Sequence, residues 1–248
     1  MKSVRLRGLV LGETPAFVAT SLADTVDGML AGVERAVAAG ADCVELRIDR
    51  LGSPSDVADL VRRVEVPHIV ACRTPQFGGS FEGSEMERIE HLEAASAAGA
   101  AAVDIEFFTE AALRDRLIGA AKANGTPVLV GYENMQQTPP LERLEEGIRA
   151  VADLRPDLAK LAVRAASHED LLTVLRVVLG MREALAVPFA AIALGPHGAP
   201  SRPLALALGA AFTYCATESG KVPGQLTVAE ARGVLEAVSE QRWSCSSS

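Results

Sequence analysis

Short apolar runs rich in β-branched residues alternate with longer stretches in which Ala, Leu, Glu and Arg recur at helical spacing, from one end of the chain to the other. The runs at 16–22, 42–49, 68–74, 101–108, 127–133, 157–163, 189–194 and 210–216 read as strands. The stretches at 24–39, 54–63, 84–98, 110–123, 141–153, 168–185, 201–208 and 227–240 read as helices. Eight strands alternating with eight helices in 248 residues have the length and rhythm of a (β/α)8 TIM barrel, an α/β fold. Helix starts are marked: Ser53-Pro54 sets a capping serine before a proline, and Thr227 with Glu230 has capping-box spacing. An open doubly wound sheet alternates in the same way, but a nucleotide binder of that class needs a Gly-rich turn after its first strand, and here that strand ends Ser21-Leu22-Ala23-Asp24. No Pro/Gly/Ser linker divides the chain, so 1–248 is expected to form a single barrel domain with 244–248 as a frayed tail. Residues 8–15, ahead of the first barrel strand, are expected to form a hairpin that plugs the barrel bottom.

Composition narrows the partners. With 49% hydrophobic and 23% charged residues the chain can bury one sizeable core, which excludes a disordered chain. Lys plus Arg total 24 against 32 for Asp plus Glu, a net charge of −8, and no basic run is present, so no nucleic-acid partner is expected. A small anionic substrate would need a local basic pocket set against this field. Cys43, Cys72, Cys215 and Cys245 lack metal-type spacing and three of them lie in apolar strand runs, which points to a reducing compartment, no metal and no disulfide framework. Arg5 and Arg7 interrupt the N-terminal apolar run and no long uncharged apolar stretch occurs, so no membrane partner and a cytoplasmic location are expected.

In a barrel the chemistry sits at the C-terminal ends of the strands. Polar residues at those ends are Glu45, Arg47 and Asp49 on one parity of the second strand, Arg73 after the third, Asp104 and Glu106 in the fourth, and Glu133 in the fifth. Lys160 lies inside the apolar run of the sixth, Arg202 follows the seventh, and Lys221 and Gln225 follow the eighth. Only four lysines occur in the chain, and Lys160 is the informative one: on an apolar strand it must find an anion or lose its proton. It is either a nucleophilic amine able to form an imine with a ketone or aldehyde, or half of an inward salt bridge with Glu106 or Glu133. Arg47, Arg73 and Arg202 either line a carboxylate-binding pocket together with a glutamine, or pair with Glu45, Asp49 and Glu106 and brace the barrel mouth.

Taken in order, SLA at 21–23, VELRIDRL at 44–51, CRTPQFGGSFEG at 72–83, VDIEFF at 103–108, PDLAKLAV at 156–163, GAPSR at 198–202 and KVPGQLT at 221–227 resemble type I 3-dehydroquinate dehydratase over nearly the whole chain. The resemblance implies a cofactor-free barrel homodimer of aromatic amino acid biosynthesis, the shikimate pathway. In that family a lysine forms an imine with the C3 ketone of dehydroquinate, a base removes a C2 proton, and the C1 hydroxyl leaves. Carried over by motif, Lys160 is the imine lysine, Ser21, Glu45, Arg47 and Arg73 surround the substrate ring, and Arg202 and Gln225 hold its carboxylate.

Three matching positions depart from the family pattern. Glu133 stands where the family has its catalytic histidine, Phe77 where a glutamate precedes the Gly-Gly of the third loop, and Lys221 where a serine precedes the PGQ loop. These changes are readable as one rearrangement in which Glu133 is the base, Phe77 removes a repelling carboxylate, and Lys221 adds a positive partner. His197, after the seventh strand, is the other residue on the correct side able to move a proton. The expected function is therefore a Schiff-base lyase acting on 3-dehydroquinate or a close cyclic keto-acid. The alternatives are an imine-forming lyase, aldolase or isomerase repurposed to another keto-acid, and a ligand-binding pseudoenzyme.

Overall fold

A computed structural model, which describes residues 3–218 and 224–239, places the eight expected strands parallel in one sheet. Two short strands come first, β1 (Val4–Leu6) and β2 (Leu9–Leu11), paired antiparallel in a hairpin that starts ahead of the expected segment 8–15 and shares only β2 with it. The barrel strands are β3 (Ala16–Leu22), β4 (Cys43–Arg47), β5 (His68–Ala71), β6 (Val103–Glu106), β7 (Val128–Asn134), β8 (Leu158–Arg164), β9 (Phe189–Leu194) and β10 (Phe212–Cys215). Between and after them run α1 (Val26–Ala38), α2 (Pro54–Arg63), α3 (Glu85–Ala97), α4 (Ala111–Ala123), α5 (Leu141–Asp153), α6 (His168–Ala184), α7 (Ser201–Ala207) and α8 (Val228–Val238). The hydrogen-bonded order is β10-β3-β4-β5-β6-β7-β8-β9. The two ends meet through Ala211, whose N–H donates to the Phe189 carbonyl (2.8 Å) while its own carbonyl accepts from the Ala16 N–H (3.0 Å), giving a nearly closed (β/α)8 barrel.

Two apolar layers follow from the strand period of two. Phe17, Ala19, Val44, Leu46, Val130 and Leu161 face the helices, and Val18, Ile69, Leu129, Leu158 and Phe212 face the barrel axis. Leu6 and Leu11 of the hairpin are fully buried in the axial layer, so β1 and β2 do stopper the lower end and leave the upper end to polar groups. The helix starts behave as their side chains dictate: Ser53 accepts from the Asp56 N–H (3.2 Å), and Thr227 and Glu230 form the reciprocal capping box. The expected third strand stops early, at Ala71. The Arg73 carbonyl bonds back to the Phe81 N–H (3.0 Å) and the Thr74 carbonyl to the Gly79 N–H (2.9 Å), which folds residues 73–81 into a loop of their own. Three cysteines, Cys43, Cys72 and Cys215, are buried thiols. The expected tail at 244–248 lies outside the described residues.

His68, at the start of β5, is fully buried; its Nδ1 faces the Val66 carbonyl (2.9 Å) and its Nε2 accepts from the Ala101 N–H (3.2 Å), which fixes the neutral tautomer with the proton on Nδ1. Burial, opposed in part by the bond to Val66 and reinforced by Arg7, brings its pKa down to about 4. A histidine whose folded value lies below its unfolded one stabilises fully above about pH 6.5 and loses that contribution as the pH falls toward the folded value. Urea unfolding should therefore show about 2 kcal/mol lost between pH 6.5 and pH 5 that is missing in His68→Gln; equal slopes in the two proteins would contradict this assignment.

Candidate active site

At the upper end of the barrel four strand ends bring charges together with no room for water-sized separation. Lys160, on β8, sends Nζ to Asp104 Oδ2 of β6 (2.6 Å) and to Glu133 Oε1 of β7 (2.9 Å). Arg73, just beyond β5, pairs with Asp104, with Glu106 Oε1 (2.5 Å) and with the same Glu133 Oε1 (3.0 Å). Glu106 is also held from outside the barrel by Arg88 of α3 (2.7 Å). All six side chains are almost completely buried. Arg88 spends its remaining N–H groups on Glu85, the Cys72 carbonyl and Thr109, so the network is anchored in the helical layer as well as the sheet.

The electrostatics follow from that geometry. Burial and the neighbouring Arg73 push the Lys160 ammonium down, but Asp104, Glu133 and Glu45 push it further up, so it lies above a lysine's ordinary value. Burial works against ionisation of Asp104 too, yet Arg73 and Lys160 hold its carboxyl below the usual range. Of the two readings of Lys160 left open by its spacing, the geometry shows the inward ion pair: the resting side chain is an ammonium between two carboxylates. The partners are Glu133, as foreseen, and Asp104 in place of Glu106.

Above the network opens a cavity of about 590 Å³ bordered by Glu45, Arg47, Arg73, Glu133, Lys160, Arg202, Tyr214 and Gln225, with Phe77, Gly78 and Met135 on the loop side. Glu45 accepts from the Thr20 hydroxyl (3.2 Å). Arg47 forms a two-point pair with Asp49 (2.8 and 2.9 Å), and Asp49 also accepts from the Ser80 N–H (3.0 Å), which ties the 73–81 loop over the β4 end. Gly79 is required in that loop because a Cβ there would run into the Arg73 backbone. Arg202 differs from the other arginines: Nη1 donates to the carbonyls of Ala193 (2.5 Å) and Gly198 (3.2 Å), Nε is buried without a partner, and no carboxylate pairs with it among the described residues. Burial brings its pKa down to about 10, the mark of a cation lacking a counter-charge.

Other expected residues are placed differently. Ser21 borders the cavity; its hydroxyl donates to the Met29 carbonyl (2.8 Å) and sits against Gly32, which fastens α1 to β3. His197 is exposed, packs edge-on against His168 (ring centroids 4.9 Å apart) and does not border the cavity. Lys221 lies outside the described residues. Asp104 and Tyr214 are the residues that strand-end reasoning undervalued. Asp104 appeared only as a polar strand residue, and Tyr214 reads in sequence as an ordinary aromatic of the eighth strand, although its ring centroid lies 5.4 Å from Lys160 Nζ.

A family model for type I 3-dehydroquinase matches residues 18–242. The chain is 34% identical over 213 residues to 3-dehydroquinate dehydratase of Methanosarcina acetivorans, covering 82% of this chain and 88% of that protein. It is 29% identical over 225 residues to the enzyme of the same name from Klebsiella pneumoniae, covering 87% and 90%. The crystal structure of 3-dehydroquinate dehydratase from Geobacillus kaustophilus superposes with a TM-score of 0.89 over 98% of both chains, at 25% identity.

Gly131, level with Lys160 in the β7–β8 register, gives the lysine its room: a Cβ there would stand 3.0 Å from Glu133 Oε1 and 3.2 Å from Lys160 Cε. Gly131→Ala should keep the fold yet slow reductive trapping of Lys160 by a small aldehyde about ten- to hundredfold, since small misplacements of a reacting group cost that much. An unchanged trapping rate would show that this crowding is unimportant.

Proposed function

The chain belongs to the type I 3-dehydroquinase family of carbon–oxygen lyases, and we propose that it removes water from 3-dehydroquinate, or a close cyclic keto-acid, through an imine on Lys160 with Glu133 carrying the protons. The observation that carries this reading is the Lys160–Glu133 pair at 2.9 Å on the wall of the cavity. A buried ammonium is not a nucleophile; a carboxylate in contact with it can take its proton as a carbonyl carbon approaches.

The steps follow from that pair. Glu133 accepts a proton from Lys160, and the free amine adds to the ring ketone. The proton returns to the former carbonyl oxygen, a second proton passes from the nitrogen to that oxygen through Glu133, water leaves, and a protonated imine joins Nζ to C3. The iminium is an electron sink, so the C2–H bond becomes acidic and Glu133 again receives the proton. The electron pair then moves from C2 toward C1, the C1–O bond breaks, and Glu133 delivers its proton to the leaving hydroxyl as water. Hydrolysis of the imine frees the enone and restores the ammonium. Arg73 touches the same Glu133 oxygen and fixes its position, while Asp104 keeps Nζ oriented.

Arg202 is the natural seat of the substrate carboxylate. A buried guanidinium with carbonyl partners only and an idle Nε gains a counter-charge when an acid binds, and Gln225 borders the same cavity. Glu45 and Arg47 line the wall where ring hydroxyls would lie. Phe77 adds an apolar face to the loop side of the cavity, in keeping with a site whose base is a single carboxylate.

Incubation with 3-dehydroquinate followed by borohydride should attach the reduced substrate to Lys160, as read by peptide mass, and Lys160→Met should abolish the increment. Enone absorbance should appear with the parent. Trapping without enone, or trapping only by another cyclic keto-acid, would replace the dehydration reading with that of a repurposed imine enzyme. No increment with any keto-acid would remove the imine mechanism.

A further inference from the structure

We propose that the Tyr214 hydroxyl is a hydrogen-bond donor of the site, directed at the oxygen of the carbonyl group that Lys160 attacks. Tyr214 lies on β10, 6% exposed, with its ring turned to the barrel interior beside Phe212 and its side chain on the cavity wall. Its hydroxyl is buried and has no hydrogen-bond partner among the described residues. A phenol left in this way is destabilising compared with one that is bonded, so a buried, unbonded hydroxyl on a cavity wall is either a structural defect or a group that awaits a ligand. Three observations favour the ligand. The ring centroid is 5.4 Å from Lys160 Nζ, the atom that would bond to substrate carbon. The groups around Lys160 do not satisfy the hydroxyl: Asp104 Oδ2 and Glu133 Oε1 turn to Lys160 and Arg73, and Asp104 Oδ1 is itself buried without a partner among the described residues. Burial, with Glu45 and Asp104 nearby, holds the phenol well above its ordinary value, so it keeps the proton it would donate.

The step it assists balances without a further reactant. As the Lys160 amine adds to the carbonyl carbon, the C=O π electrons move to oxygen and that oxygen gains charge. The Tyr214 O–H donates to it and keeps its own proton. Two protons convert this oxygen to water: the one Glu133 took from Lys160 makes it a hydroxyl, and a second, given up by the nitrogen after addition and relayed by Glu133, makes it water as the C–O bond breaks to leave the iminium. A donor placed where charge develops lowers the barrier to addition more than it aids ground-state binding.

This inference rests on the imine reading, but not on the identity of the ketone, and the test separates the two. Imine formation is measured by borohydride trapping in the parent and in Tyr214→Phe, with 3-dehydroquinate in one arm and glyoxylate, a minimal carbonyl acid, in the other. Tyr214→Phe should trap on the order of ten- to a hundredfold more slowly, a loss typical of removing one such donor. Its thermal midpoint should be equal to the parent's or higher, because the variant deletes a buried hydroxyl that nothing satisfies. Slowing with glyoxylate in a parent that ignores 3-dehydroquinate would uphold the role of Tyr214 and overturn the substrate. Equal trapping rates in both proteins, or a lowered midpoint with unchanged rates, would overturn the proposal and leave the hydroxyl as a packing feature. Failure of the parent to trap either compound would overturn it together with the imine reading.

Discussion

Burying three cations and three carboxylates in one contiguous network is the constraint that the upper half of this barrel is built around. Arg73, Arg88 and Lys160 face Asp104, Glu106 and Glu133, and the formal charges cancel within the network. None of the six is affordable alone in such a place, because an unpaired buried charge is destabilising by several kcal/mol. Together they are held by strand ends β5 to β8 and by α3, so the register of four strands has to be right before the charges can cancel. The apolar hairpin stopper at the other end has the opposite role: it packs the barrel floor and leaves polar groups nowhere to go but up.

The same balance explains why the site can be reactive without being loose. Lys160 sits between two carboxylates, one of which, Glu133, divides a single oxygen between Lys160 and Arg73. Moving a proton from Lys160 to Glu133 neutralises both partners while Arg73 and Asp104 remain paired, so the network need not rearrange for the amine to be freed. Arg202 stands apart from this cancellation. Among the described residues it has carbonyl partners only, and an acid substrate would supply the counter-charge.

Most of the architecture was legible in the chain because it depends on periodicity. The alternation of apolar strands and helical stretches located all eight barrel strands, and the parity of Glu45 and Arg47 put both on the cavity wall. Lys160 stood out because a lysine is conspicuous in LAKLAV. Partner choice was not legible in the same way. Glu106 was expected to meet Lys160, but Arg88 approaches from α3, where the sequence shows only an ordinary helical arginine, and together with Arg73 it occupies Glu106. Asp104 then takes the lysine. Ser21 matched a motif, but the bond that strand parity gives its hydroxyl, to the Met29 carbonyl of α1, was not legible. Tyr214 carried no signal in sequence, because a buried aromatic in a strand is what any core contains; only its idle hydroxyl beside Lys160 distinguishes it.

The central claim is that Glu133 does the proton work next to an imine lysine, and solvent exchange at C2 tests it most directly. In deuterium oxide, proton NMR of 3-dehydroquinate with the parent enzyme should show stereoselective loss of one C2 proton along with enone formation. Glu133→Gln, which keeps the shape but cannot accept the proton, should show neither at a comparable rate. C2 exchange and dehydration at parental rates in Glu133→Gln would contradict the account and place the base elsewhere in the cavity.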